Sequence, residues 1–117
     1  MKTILIVEDT ELNIDLLYQL LEDDYKLLVA RDGLQGVQFT QELKPDLILM
    51  DISLPVMDGY EAIRKIRENF KTLPIIGLSA NAMQSDCDKA IAAGCNDYLT
   101  KPIDEVLLMK KLQKYLG

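Results

Sequence analysis

The sequence has no histidine among its 117 residues. That excludes a histidine-dependent catalytic triad, a histidine metal ligand and a phosphohistidine carrier within the chain. Its chemistry must rest on carboxylates, hydroxyls, lysines or a group borrowed from another molecule. Cysteine is scarce: Cys87 and Cys95 are alone, and no CxxC occurs. Two thiols are too few for a thiolate zinc site, and a disulfide is not expected in a reducing compartment. Both are expected to be small buried apolar residues. No apolar run approaches the ~18 residues of a membrane span. Residues 3–7, which precede the first acid, are too short for a signal-peptide core. A cytoplasmic protein with no membrane contact is therefore expected. Positive charge is also in deficit, with Lys+Arg 13 against Asp+Glu 19 and a net charge of -6. Binding to a phosphate backbone needs a basic face, so no nucleic-acid partner is expected.

What is present is ordinary globular material, 49% hydrophobic and 27% charged. The length suits one domain, and such a chain buries roughly two-thirds of its unfolded surface. The apolar runs Ile4-Leu5-Ile6-Val7, Leu27-Leu28-Val29-Ala30, Leu47-Ile48-Leu49-Met50 and Ile75-Ile76-Gly77-Leu78 are nearly continuous, and Asn96-Asp97-Tyr98-Leu99 is a weaker fifth. Continuous runs suit strands covered on both faces of a parallel sheet. Between and after them, apolar residues recur at helical spacing: Leu17, Leu20 and Leu21; Val37 and Leu43; Ile63, Ile66 and Phe70; Met83, Cys87, Ala90, Ile91 and Gly94; Leu108, Leu112 and Tyr115. Asp32-Gly33, Lys44-Pro45, Asp58-Gly59, Leu73-Pro74, Ala93-Gly94 and Lys101-Pro102 punctuate the boundaries. Asp104 is placed to cap the last helix. The pattern predicts strand–helix five times, (βα)5, an open α/β sheet.

Open parallel sheets bind ligands at the carboxyl ends of their strands. Right-handed crossovers point all those ends the same way. The first run ends in Glu8-Asp9, the third in Asp51, the fourth in Ser79 and the fifth in Thr100-Lys101. Singly, each has a bland explanation: Asp9 as a cap for a helix starting near Glu11, Ser79 as a turn hydroxyl, Lys101 as a solvated charge. Their coincidence at one edge carries the argument. Two carboxylates ~4 Å apart repel by about 4 kcal/mol at an effective dielectric of about 20. Lys101 offsets part of that, and a divalent cation would offset more. With oxygen ligands only, Mg2+ is favoured. Acids, a lysine, a hydroxyl and Mg2+ suit phosphoryl transfer, which demands positioning and charge neutralisation. A carboxylate can serve as the nucleophile and become an acyl phosphate.

Glu8-Asp9, Asp51 with Leu54-Pro55 and Met57-Asp58-Gly59, Ser79-Ala80 and Lys101-Pro102 together resemble the CheY-like receiver domain of two-component response regulators. The resemblance spans the chain and implies a flavodoxin-like, doubly wound sheet with strand order 2-1-3-4-5. It implies Asp51 as phosphoacceptor, with Mg2+ bound by Asp9, Asp51 and the backbone carbonyl of Ser53, and by Glu8 through water. Lys101 would pair with the phosphoryl group, Ser79 would donate its hydroxyl to it, and Tyr98 would be the aromatic switch. Ser53 and Asn81 would tune dephosphorylation, and the Lys101–Pro102 bond would be cis. The donor would be a phosphohistidine on a sensor histidine kinase or a histidine phosphotransfer domain. The target would be a protein bound at the face of the fourth helix, fifth strand and fifth helix. Ser79-Ala80-Asn81-Ala82-Met83 is similar to hybrid-kinase receivers and single-domain, DivK-like regulators. A single receiver domain over 1–117 with no output domain is expected, working as a signalling or relay protein and not as an enzyme on other substrates.

Two other classes fit less well. A haloacid-dehalogenase-type phosphatase wants an acid two residues after its nucleophilic aspartate to act as acid and base. Asp51 is followed there by Ser53. Asp9 does meet Glu11, but as a glutamate rather than the aspartate that family uses, and the chain has no cap insertion. A flavodoxin-like FMN binder wants a hydroxyl- and glycine-rich phosphate loop after the first strand, where Glu8-Asp9-Thr10-Glu11 would repel phosphate. A scaffold independent of phosphorylation would not require the full set of acids, hydroxyl and lysine.

Overall fold

The structure is a computed structural model that describes residues 1–80 and 84–117. Five strands alternate with five helices: β1 Thr3–Val7, α1 Glu11–Leu21, β2 Lys26–Ala30, α2 Gly33–Leu43, β3 Leu47–Asp51, α3 Gly59–Arg67, β4 Ile75–Ser79, α4 Gln84–Ala93, β5 Asp97–Thr100 and α5 Glu105–Leu116. The strands form one parallel sheet in the order β2-β1-β3-β4-β5. This is the flavodoxin-like (βα)5 fold. The three central strands are the most apolar, and β3 and β4 are buried along their whole length. At the edges, β2 and β5 are only partly covered, which explains why the fifth run was the weakest signal.

Two apolar layers enclose the sheet. Leu17 and Leu21 of α1 and Leu108 and Leu112 of α5 pack on Ile4, Ile6, Leu49, Ile76 and Leu78. On the other face Val37, Ala62, Ile63, Ile66, Ala90 and Ala93 of α2, α3 and α4 pack on Leu5, Val7, Ile48, Met50 and Ile75. Period-two alternation along each strand sends neighbouring residues into opposite layers. Two helices thus cover one face and three the other.

Helix starts follow the expected chemistry. Asp32, Asp58 and Asp104 each cap a helix by accepting from the backbone N–H three residues on, at 2.8, 2.9 and 3.1 Å. Asp9 does not cap α1; the N-cap is Thr10, without a side-chain bond, and the Asp9 carboxylate stays with the acids described below. Expected packing differs at two leucine-type positions. Leu43 and Ile91 are exposed, because α2 turns its small residues Gly33, Gly36 and Thr40 inward with Val37, and α4 buries only Ala90 and Ala93. Cys95 is buried, but Cys87 is only half-buried; both are free thiols. Burial pushes the Cys95 thiol up to about 12, so it stays protonated and inert. Met83 lies outside the described residues.

The loop from β3 to α3 is shaped by close approach. A Cβ on Gly59 would sit 2.4 Å from the Asp51 carbonyl oxygen. Only glycine lets the start of α3 press against the end of β3 there. Within the same loop Val56 adopts φ 68, a left-handed backbone that β-branched residues avoid.

Candidate functional site

The carboxyl ends of β1, β3, β4 and β5 meet at one edge of the sheet, as right-handed parallel topology requires. Glu8 follows β1 directly, and its backbone N–H donates to the Ala30 carbonyl at 3.0 Å. Asp51 ends β3 and Ser79 ends β4. Lys101 follows β5 and is fixed by its backbone N–H donating to the Ser79 carbonyl at 2.7 Å. The register pairs Ser79 with Thr100 and Asp51 with Leu78. Residues distant in sequence are thus adjacent in space. The Lys101–Pro102 bond is cis.

Glu8, Asp9 and Asp51 offer carboxylate oxygens within 4.8 Å of one another, an arrangement that could hold a metal ion. Their environments differ. Glu8 is 0% exposed and Asp51 4%, whereas Asp9 is exposed. The ammonium of Lys101 lies 2.8 Å from Glu8 Oε2 and 3.3 Å from Asp51 Oδ2. Glu8 Oε1 also accepts from the Thr10 backbone N–H at 3.3 Å and from Asn13 Nδ2 at 3.5 Å. Asp51 Oδ1 accepts from the Ser53 backbone N–H at 3.0 Å.

One lysine shared by two buried carboxylates leaves a deficit of positive charge. Burial works to raise the Glu8 carboxyl, but the hydrogen bond and charge of Lys101 outweigh it and hold it below the usual range. Asp51 is the loser: burial and the negative charge of Glu8 push it up to about 6. Burial would lower the Lys101 ammonium, but Glu8 and Asp51 raise it, so it stays charged. A hard divalent cation among these oxygens would supply the missing charge. The donor set contains no thiolate or imidazole and fits Mg2+.

Each expected site residue can now be placed. Glu8, Asp9, Asp51 and Lys101 converge. Ser79 is buried at the same edge, and it shares an open groove of about 330 Å³ with Ile52, Ser53, Asp58, Tyr60 and Asp86. Tyr98 is half-buried on β5 and packs with the α3–α4 layer; a Cβ on Gly77 would meet its ring at 3.5 Å. Asn81 lies outside the described residues. Sequence reasoning missed Asn13. Its position in the first turn of α1, five residues after Glu8, was the available signal. Tyr115, placed by its spacing on an apolar helix face, also makes polar contacts. The Tyr115 hydroxyl donates to the Asn96 carbonyl at 3.1 Å and to Asp97 Oδ2 at 3.2 Å, and Lys111 pairs with Asp97 at 2.7 Å.

Comparison with known proteins gives one answer. Residues 4–113 match the response regulator receiver domain. The polar-differentiation response regulator DivK of Brucella anthropi is 36% identical over 119 residues, covering 99% of this chain and 97% of that protein. Among solved structures, the receiver domain of the sensor histidine kinase PA1611 from Pseudomonas aeruginosa is similar with a TM-score of 0.91 and 42% identity, covering 99% of this chain and 98% of that one. That structure has a magnesium ion coordinated in its active site cleft. The receiver domain of Ssk1 from Saccharomyces cerevisiae, solved with the histidine phosphotransfer protein Ypd1, matches with a TM-score of 0.91 and 35% identity, covering 97% of this chain and 88% of that one. Among the described residues no helix is long and apolar enough to cross a membrane.

Proposed function

The chain belongs to the response regulator receiver domain family, and from that premise we propose that it receives a phosphoryl group on Asp51 from a protein phosphohistidine. The observation that carries the assignment is the charge imbalance around Asp51. It is a buried strand-end carboxylate beside two further acids, and Lys101, its one close cation among the described residues, is shared with Glu8. Such a group gains most from a metal and from conversion to a phosphate that Lys101 can bind. Asp9 and Asp51 would hold Mg2+ directly, the Ser53 carbonyl would complete the protein's share, and Glu8 would contribute through water. The bound ion supplies neutralisation of the phosphoryl oxygens.

The chain's own residues do the rest. An Asp51 carboxylate oxygen forms the new O–P bond as the N–P bond of the donor's phosphohistidine breaks, and the imidazole leaves with that electron pair. Glu8 and the Ser53 N–H keep the Asp51 carboxylate aimed. Lys101 exchanges part of its hold on Glu8 and Asp51 for the phosphoryl oxygens. The Ser79 hydroxyl donates to the same group, and Tyr98 turns inward as Ser79 moves. This biases a two-state arrangement of the β4–α4 and β5–α5 loops. Ser53 and Asn81 would be tuning positions for hydrolysis of the phosphate.

A donor approaching over α1 meets apolar ground: Leu12, Leu16 and Val106 are exposed large hydrophobics, and Leu16 lines a small pocket with Pro102 and Ile103 at the Lys101 loop. That supports a sensor histidine kinase or a histidine phosphotransfer domain as donor. The downstream protein target would bind the α4–β5–α5 face. The unit 1–117 would act as a self-contained receiver, a reading supported by its 97% coverage of the Brucella DivK protein. Its catalysis would be confined to its own phosphorylation and dephosphorylation, in the cytoplasm, without nucleic acid or membrane. The test is labelling by a small phosphodonor in Mg2+. Asp51→Asn is expected to abolish base-labile phosphate incorporation; full labelling of that variant would overturn the assignment.

A further inference from the structure

The buried Glu8 carboxylate divides its two oxygens between unlike partners. Oε2 takes the Lys101 ammonium at 2.8 Å. Oε1 takes two neutral donors, the Thr10 backbone N–H at 3.3 Å and the Asn13 side-chain amide at 3.5 Å. Asn13 is half-buried in the first turn of α1. Asparagine is a poor helix former, and the N-cap of α1 is Thr10, so the helix gains nothing from it. The contact Asn13 makes is with the site. Together with Glu8 and Lys101 it lines a small pocket whose other walls are apolar residues of α1, β4 and the segment after Lys101. Those walls supply no polar side chain.

Lys101 holds Glu8 more closely than Asp51, at 2.8 Å against 3.3 Å. As the phosphoryl group arrives, Lys101 has to loosen that hold to bind it. Glu8 is fully buried and lies beside Asp9 and Asp51. It then needs another donor, because a buried charge left without one is costly. The Thr10 N–H belongs to the backbone at the start of α1 and is fixed there. The Asn13 amide can close in, since side-chain torsions move it. Its 3.5 Å separation leaves slack of roughly half an ångström against an ordinary N–H···O bond. We propose that Asn13 is a positioning residue: its amide tightens on Glu8 as Lys101 turns to the phosphoryl group, and so governs how readily Lys101 leaves. This role rests on the reading of Asp51 as phosphoacceptor and adds a residue to its machinery. Asn13 acts through Glu8 and Lys101, not on the reacting atoms.

A double-mutant cycle in folding stability, read by urea unfolding in chelator, tests the hand-over without any phosphoryl group. With Lys101 in place, Asn13→Leu is expected to change the unfolding equilibrium constant by about threefold or less. In a Lys101→Met background, where Glu8 has lost its ammonium, the same substitution is expected to cost about tenfold more than it does with Lys101 present. Equal effects in the two backgrounds overturn the proposal. Labelling of Asp51 by acetyl phosphate in saturating Mg2+ then tests the role in transfer. Asn13→Leu is expected to slow it about tenfold, with Mg2+ affinity by calorimetry held within about twofold. Asn13→Gln, which keeps the amide, should recover most of the rate. A rate loss matched by an equal loss of Mg2+ affinity, or no recovery in Asn13→Gln, means that residue 13 serves structure alone and also overturns the proposal. Absence of labelling in the unaltered protein, or labelling that persists in Asp51→Asn, sinks the acceptor assignment and the transfer role of Asn13 with it. The stability cycle still decides by itself whether Asn13 and Lys101 are coupled through Glu8.

Discussion

The two ends of the sheet treat their charged groups differently. At the amino end, where the start of β5 meets α3 and the last turns of α5, Asp97 and Arg67 both have partners. Asp97 takes Lys111 at 2.7 Å and the Tyr115 hydroxyl at 3.2 Å. The Arg67 guanidinium donates to the Gly94 carbonyl at 2.9 Å, the Phe70 carbonyl at 2.7 Å and Asn96 Oδ1 at 2.7 Å. Asn96 Oδ1 also accepts from the Ile75 N–H at 2.9 Å. At the carboxyl end two buried acids share one lysine, and Asp51 is held partly against ionisation. The first arrangement stabilises the fold, while the second leaves an electrostatic deficit that a metal and a phosphoryl group can fill. Perturbed titration in a cleft is a mark of function for this reason.

Substitutions at the two ends should therefore move stability in opposite directions. The largest loss is expected from Arg67→Ala, which leaves three acceptors without their charged donor and should cost about 3 kcal/mol in urea unfolding. Its Mg2+ affinity should be unchanged. At the other end, Asp51→Asn should stabilise the metal-free protein by about 2 kcal/mol at neutral pH. The sign follows from the raised acid: the folded chain keeps a proton that the unfolded chain loses between pH 3.8 and about 6. Stability of the unaltered protein in chelator should accordingly fall as pH rises through that window, and the variant should lack the fall. A variant less stable than the parent in chelator would contradict the contrast.

The smallest effect is expected at Asp97, which is partly solvated. Burial opposes its ionisation, but the Lys111 hydrogen bond prevails and lowers its pKa. A lowered acid contributes stability above its ordinary range and loses it as pH falls through the lowered value. Asp97→Asn should cost about 1 kcal/mol at neutral pH. That deficit should shrink in acid, below the ordinary aspartate value, as followed by thermal melts across pH. A deficit independent of pH would mean that Asp97 acts through packing and not through its charge.

Much of this was legible in the residues. Continuous apolar runs gave the buried parallel strands; Asp32-Gly33 and Asp58-Gly59 marked boundaries and Asp104 a helix cap, and all three aspartates cap helices in the fold. The last residue of each run named Glu8, Asp51, Ser79 and, one step on, Lys101. Leu43 and Ile91 misled because helical spacing reports a face without saying which neighbour lies beneath it. Where α2 meets β1, Gly36 faces Val7 so closely that a Cβ would sit 3.1 Å from its methyls, and small residues took the inward face. Taken singly, Asp9 fitted a cap as well as a metal ligand, because a carboxylate before a helix looks the same in sequence in either role; the N-cap is Thr10. Asn13 escaped because its partner, Glu8, is visible only once α1 folds back over β1.

The sequence by itself determined the (βα)5 order, the single parallel sheet and the residue types at its carboxyl edge, because local periodicity and right-handed crossovers leave few ways to bury such runs. Only the tertiary structure decided which acid is unsettled. Glu8 and Asp51 are both buried strand-end carboxylates, yet Lys101 sits 2.8 Å from one and 3.3 Å from the other. Electrostatic energy depends on those distances and on the exclusion of water, neither of which is written in the order of the residues.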